Sequence, residues 1–144
     1  MIRLVVVGKI KNRAIADLCE DYARRISHYC PLEISEIKDS DPEREAERIA
    51  DNLSKFRGRI YALGEEGKEK SSVEFAKMLE SDLARGGSAF IIGGPYGLSE
   101  KAKSCADIVF SMSKMTFTHE FARAILLEQI YRAKNISANT GYHH

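Results

Sequence analysis

Unbroken hydrophobic stretches alternate with stretches in which apolar positions recur every three or four residues, and this alternation runs along the whole chain. Residues 2–8 are a continuous, largely β-branched run, the pattern of a strand buried on both faces. Ile15, Leu18, Cys19, Tyr22, Ile26 and Tyr29 then fall at helical spacing with charged residues between them, and Pro31 ends that helix. Residues 32–38 alternate through Leu32, Ile34 and Ile37 around acidic positions and predict an edge strand. Helix-start chemistry follows at Ser40-Asp41-Pro42-Glu43. Either Asp41 is the N-cap with Pro42 in the first helical position, or Ser40 and Glu43 form a capping box. Ala46, Ile49, Ala50, Leu53 and Phe56 make one apolar face.

A third strand is predicted over residues 58–63, ending at Leu63-Gly64, with a polar loop from Glu65 to Lys70. Ser71 and Glu74 have capping-box spacing and open a helix through Phe75, Ala76, Leu79 and Leu83, which Gly86-Gly87 stops. Residues 89–92 form a fully apolar strand that runs into Gly93-Gly94-Pro95-Tyr96-Gly97-Leu98. A short helix from Ser99, a fifth strand over residues 107–112, a loop over 113–118, a last helix from about His119 to Asn135 and a polar tail complete the chain. Strands alternating with helices throughout predict an α/β fold, a mostly parallel sheet with helices on both faces. The length of 144 residues suits a single domain.

Composition narrows the function. Twenty-two Lys and Arg balance 21 Asp and Glu, which argues against a polycation and against an acidic tail. Local basic clusters remain: Lys9, Lys11 and Arg13 after the first strand, Arg24 and Arg25 on the first helix, and Arg132 and Lys134 near the end. Cys19, Cys30 and Cys105 lack C-x-x-C spacing, so reduced thiols in a cytoplasmic protein are expected. The opening apolar run is too short for a signal peptide, and nothing approaches a membrane span. The four His and three Cys form no zinc set, so no metal is expected. The dinucleotide fingerprint, the P-loop and the esterase nucleophile elbow are all missing.

Ligands of open parallel sheets bind beyond the carboxyl ends of the strands. Three such ends stand out: Leu63-Gly64, Gly93-Gly94 and Met112-Ser113. Gly93-Gly94-Pro95 is compatible with a plain tight turn and with a loop that lets a ligand approach the backbone. The last helix carries apolar residues around most of its circumference, from Phe121 to Ala133, which predicts burial on two sides and a homodimer through residues such as Leu126 and Ile130. His119 reads as a cap, a packing group or a functional residue. Arg123 reads as an ion-pair donor to Glu120 or as an anion clamp. The tail, with Tyr142 and His143, is expected to be exposed, yet carries proton-transfer side chains.

Gly93-Gly94-Pro95-Tyr96-Gly97-Leu98, then Ser111-Met112-Ser113-Lys114-Met115-Thr116-Phe117-Thr118-His119, then Leu127-Glu128-Gln129-Ile130-Tyr131-Arg132-Ala133, and the closing Tyr142-His143 closely resemble the RlmH family of SPOUT-class methyltransferases. The resemblance covers the whole chain. It implies S-adenosylmethionine as cofactor, methylation at N3 of a pseudouridine in large-subunit (23S) ribosomal RNA, a homodimer, and a C-terminal trefoil knot that forms the cofactor pocket. By the same resemblance, cofactor contacts fall on Leu63, Gly93, Gly94, Ser113, Lys114, Met115, Thr116, Phe117 and Thr118, and catalytic roles on Tyr142 and His143. His144 stands where that family has Lys or Arg, and Thr118 where it often has Pro. The competing class is a non-catalytic α/β dimer that binds a nucleotide or a ribosome.

Overall fold

The computed structural model describes all of residues 1–144. Five strands and five helices alternate: β1 (Ile2–Val7), α1 (Arg13–Ser27), β2 (Leu32–Ile37), α2 (Pro42–Leu53), β3 (Arg59–Glu69), α3 (Ser72–Leu83), β4 (Ser88–Ile92), α4 (Glu100–Lys103), β5 (Ile108–Ser111) and α5 (His119–Ala138). The sheet order is β2-β1-β4-β3-β5 and every pairing is parallel. The two longest apolar runs, β1 and β4, therefore lie side by side in the centre, and the alternating β2 lies at an edge. Successive side chains of a strand serve opposite faces. Leu4, Val6, Phe90 and Ile92 pack under α1, α3 and α5, while Val5, Val7, Ala89 and Ile91 pack under α2 and α4.

The helix starts are built from side-chain caps. Asn12, Asp41, Ser71, Ser99 and Thr118 each accept a hydrogen bond from the backbone N–H three residues on. At α2 it is Asp41 that caps, with Pro42 behind it, and Ser71 and Glu74 complete a reciprocal capping box at α3. Below the sheet's opposite end, buried Asp82 of α3 accepts from the hydroxyls of Tyr61 (2.5 Å) and Ser88 (2.8 Å). It thereby pins α3 to the starts of β3 and β4.

Two expectations are corrected. The third strand does not end at Leu63. Leu63 and Lys68 both align with Phe110 of β5, so residues 64–67 loop out and the strand resumes to Glu69. The expected polar loop is thus partly strand, because β5 has β3 as its only neighbour and the resumed segment satisfies its backbone. The second correction concerns α5. Leu126 and Ile130, expected to meet another copy, have no exposed surface within the chain. The helix lies between α1 and α3 and over β4, and these three neighbours consume most of its apolar circumference. What remains outward on α5 is Phe121, 53% exposed, with half-buried Ile125 one turn on.

Candidate active site

The carboxyl ends of β3, β4 and β5 and the start of α1 open onto one cleft of about 820 Å³. Leu63, Gly64, Glu65 and Glu66 reach it from the β3 excursion, Gly93 to Leu98 from the β4 turn, Met112 to Thr118 from the β5–α5 loop, and Asn12 and Ile15 from the start of α1. The three strand ends singled out from the sequence therefore face a single cavity. Of the expected cofactor residues, Leu63, Gly93, Gly94, Ser113, Met115, Thr116, Phe117 and Thr118 line it. Lys114 does not. Its side chain is 87% exposed and its ammonium lies 4.0 Å from Glu69, on the resumed part of β3.

The turn after β4 is glycine for a steric reason. A Cβ on Gly93 would lie 2.6 Å from the backbone carbon of Gly97, and one on Gly94 would lie 3.2 Å from Cγ1 of Val7. The backbone consequently runs bare along the cleft wall. The β5–α5 loop is held by its own hydroxyls. Ser111 donates to the Ser113 carbonyl (2.9 Å), Ser113 Oγ accepts from the Met115 N–H (3.0 Å), and Thr118 caps α5. Across the cleft, Thr116 donates to Glu65 (2.5 Å), which holds that carboxyl below its ordinary value. Lys103 of α4 pairs with Glu66 (2.6 Å) and does the same there. Both acids of the excursion are thus ionised and tied to the opposing walls.

His119 lines the cleft at the first residue of α5. Arg123, one turn later, does not pair with Glu120. Its buried guanidinium donates to Glu36 at the end of β2 (2.9 Å) and to the Gly8 carbonyl (3.0 Å). Glu120 instead accepts from the backbone N–H groups of Lys11 (3.2 Å) and Asn12 (3.1 Å), and these hold its carboxyl below the ordinary value of 4.5. Burial pushes the Cys19, Cys30 and Cys105 thiols up, which makes them poor nucleophiles.

Tyr142 and His143 are not at the cleft of their own chain. The tail is not a frayed end either. It folds back onto the outer face of α5, where the Tyr142 hydroxyl donates to Glu128 (3.2 Å) and its ring lies edge-on to Tyr131 (centroids 4.9 Å apart). Arg132 sits over the Tyr142 ring (4.9 Å), pairs with Glu128 (2.6 Å) and donates to Nδ1 of His143 (3.1 Å). A guanidinium has no acceptor, so Nδ1 carries the lone pair and the imidazole proton sits on Nε2. Burial, with Tyr22 and Glu128 nearby, pushes the Tyr142 phenol up to about 12. From His119 the helix rises roughly 14 Å to Glu128 and roughly 20 Å to Arg132 at its standard pitch, so the tail docks at and just past the middle of α5, away from the cleft.

Sequence reasoning missed the β3 excursion, the wall formed by Asn12 and Ile15, and the Arg123–Glu36 tie. Gly67 and the paired acids Glu65-Glu66 were the visible sign of the first; no local pattern marks the tie, because its partners lie 87 residues apart.

No group of three or more His, Cys, Asp and Glu side chains is arranged to hold a metal ion, and no helix is long and apolar enough to cross a membrane. The chain is similar to "Ribosomal RNA large subunit methyltransferase H" of Geobacter sulfurreducens, 40% identical with 99% of each chain covered. It is similar to the protein of the same name from Clostridioides difficile, 43% identical with 99% of this chain and 98% of that one covered. Among solved structures, a probable methyltransferase from Bordetella pertussis Tohama I shares the fold at a TM-score of 0.58, with 11% identity over 92% of this chain and 95% of that one. TrmJ from Z. mobilis ZM4 does so at 0.53, with 10% identity over 92% of this chain and 68% of that one. The family model described as "Predicted SPOUT methyltransferase" matches residues 1–143. A parallel sheet whose strand ends and glycine turn enclose one cleft, on a chain matched from end to end, belongs to the SPOUT methyltransferases.

Proposed function

We propose that the chain, acting as one domain, uses S-adenosylmethionine to methylate N3 of a pseudouridine in large-subunit ribosomal RNA, and that it works as a cytoplasmic homodimer. The observation that carries this reading is the convergence of three backbone-rich strand ends on one cleft, with the tail docked farther along α5. The cleft fits the cofactor. Its volume is in the range of small-molecule sites. Leu63, Met112 and Phe117 offer apolar surface, and the bare turn at Gly93-Gly94 offers backbone N–H and C=O groups. Ionised Glu65 sits at the wall facing a ligand that carries positive charge, while Lys103 on the same cleft balances Glu66. When bound, this cofactor supplies a methyl group already activated on a sulfonium.

The chain's own residues then have to place the base and take its proton. N3 of a pseudouridine bears an imide proton and becomes a good nucleophile as that proton leaves. His143 is the candidate base and Tyr142 the group that stacks on the base or orients the imidazole. In the docked tail, Arg132 occupies Nδ1 and the ring's proton occupies Nε2, so the tail has to leave Arg132 before His143 can accept a proton. A two-fold axis across Phe121 and Ile125 would bring the far end of one α5 toward the cleft of the other, and exposed Phe121 is the side chain that such an interface would cover. The tail of one copy would then serve the cofactor of its partner.

Calorimetry with S-adenosylmethionine and S-adenosylhomocysteine, with NADH as control, tests the cofactor. Incorporation of radiolabelled methyl into ribosomes lacking the modification tests the reaction. His143→Ala is expected to keep cofactor affinity and to lose about 10²–10⁴ in rate. Full activity in that variant would move the base to another residue or to the substrate itself.

A further inference from the structure

We infer that the loop joining β1 to α1 is a preformed phosphate-binding edge, at which Lys9, Lys11 and Arg13 hold the RNA backbone beside the nucleotide presented to the cleft. This rests on the reading of the chain as an RNA methyltransferase and adds the surface that meets the polyanion.

Four observations carry it. First, the loop borders the cleft: it leads directly into Asn12 and Ile15, which line the cavity, and Val7, the last residue of β1, abuts the Gly94 turn. Second, its backbone is fixed by two side chains of α5. Arg123 holds the Gly8 carbonyl, and Glu120 accepts from the N–H groups of Lys11 and Asn12. Third, the two acids that anchor the loop, Glu120 directly and Glu36 through Arg123, are already engaged. Glu120 is spent on backbone amides and Glu36 on Arg123, so neither neutralises the loop's side chains. Fourth, Lys9, Lys11 and Arg13 are all exposed and none forms an ion pair, whereas Arg24 and Arg25 farther along α1 both pair with Asp21.

A rigid backbone with three uncompensated cations at the rim of a site is suited to a chain of phosphates. Such contacts position the strand without reading its sequence. Each phosphate neutralised releases counterions, which makes the affinity fall with salt by about 0.7–0.9 in log K per log salt for each contact. The opposite end of the sheet also carries unpaired cations, among them Arg57 and Arg85, but they border no comparable cleft. They supply the control.

The test compares the wild-type protein with the triple variant Lys9→Gln/Lys11→Gln/Arg13→Gln and with the control Arg57→Gln/Arg85→Gln. Binding to ribosomes and to large ribosomal subunits lacking the modification is measured at salt concentrations between about 50 and 200 mM, and S-adenosylmethionine binding on the same preparations. The triple variant is expected to bind subunits more weakly, with a salt slope shallower by about 2–3, and to keep its cofactor affinity. The control pair is expected to keep the wild-type slope. Wild-type binding with an unchanged slope in the triple variant, or an equal change in the control, overturns the loop as the RNA edge while leaving the enzymatic reading intact. Failure of the wild-type protein to bind either ribosomes or their large subunits at any salt overturns that reading, and the loop's role with it.

Discussion

Arg123→Met removes the only side-chain link from α5 to the carboxyl ends of β1 and β2 while keeping an unbranched apolar stem in the same space. The wild-type guanidinium makes one charged hydrogen bond to Glu36 at 2.9 Å and one to the Gly8 carbonyl at 3.0 Å. Hydrogen bonds to charged groups contribute about 1.5–3 kcal/mol, and an orphaned acceptor costs about 1–3 kcal/mol. The sum has to be discounted. The Glu36 side chain is 38% exposed and recovers water once released, and Gly8 is only partly buried. A net loss of about 2–3 kcal/mol follows from that discount. For a chain of this size each kcal/mol shifts the melting temperature by about 3–4 °C, so the midpoint should fall by ~6–12 °C. Calorimetric melting of the wild type, Arg123→Met, Glu36→Gln and the double variant closes the cycle and isolates the pair. Arg123→Lys should recover part of the loss, because a point charge cannot hold two acceptors in a fixed fork. A midpoint unchanged within 2 °C in Arg123→Met would refute the assignment of this tie as the anchor. So would strictly additive effects in the cycle.

Gly94→Val should abolish S-adenosylmethionine binding in calorimetry. Its Cβ already lies at 3.2 Å from Val7, so the branch has to turn into the cleft; a folded variant with unchanged affinity would remove this turn from the site. Phe121→Asp puts a charge on the one large apolar side chain that α5 leaves exposed. Sedimentation should change from about twice 16.2 kDa to the single chain, and methyl transfer should fall with it. A wild-type protein that is monomeric at micromolar concentration would sink the homodimer. The Glu120 carboxyl is held low by two amides of the β1–α1 loop, so its stabilising effect is complete above the ordinary value of 4.5 and is lost as the pH falls through the lower folded value. Protection of the Lys11 and Asn12 amides against hydrogen exchange should therefore hold at neutral pH and collapse only below about pH 4.5, and in Glu120→Ala it should be weak at every pH.

The fold was legible wherever a single periodicity decided it. The double-sided apolar runs of β1 and β4 fit the sheet centre and the alternation of β2 the edge; the capping box at Ser71 marked its helix start to the residue, whereas α2 had two possible starts, of which Asp41 is the one used, and α5 was placed at about His119. The three loops of the cleft were legible because glycine or a hydroxyl follows an apolar run at each. The errors came where long-range packing overrides a local pattern. The β3 excursion looks like the end of a strand until β5 supplies a partner for Lys68 and Glu69. An all-round apolar α5 looks like an interface until α1 and α3 close on its flanks. The docked tail depends on Glu128, Arg132 and Tyr131, none of which announces a partner 11 to 14 residues downstream. The knot that the family resemblance implies is a matter of how a chain threads, and no pattern of residue types carries it.

The 20-residue α5 begins at the cleft and carries the tail's docking pair, Glu128 and Arg132, at and just past its middle. It is therefore a ruler as well as a core helix. Both its length and its phase set where the tail lies. One residue inserted between Ala124 and Glu128 would advance everything beyond it by about 1.5 Å and turn it by about 100°. Leu127 and Ile130 would swing out of the core, and Glu128, Arg132 and the tail docked on them would swing as one unit away from Tyr22 of α1. The apolar packing of α5 and the placement of Tyr142 and His143 are locked to the same helical count, so neither can change by insertion or deletion without the other.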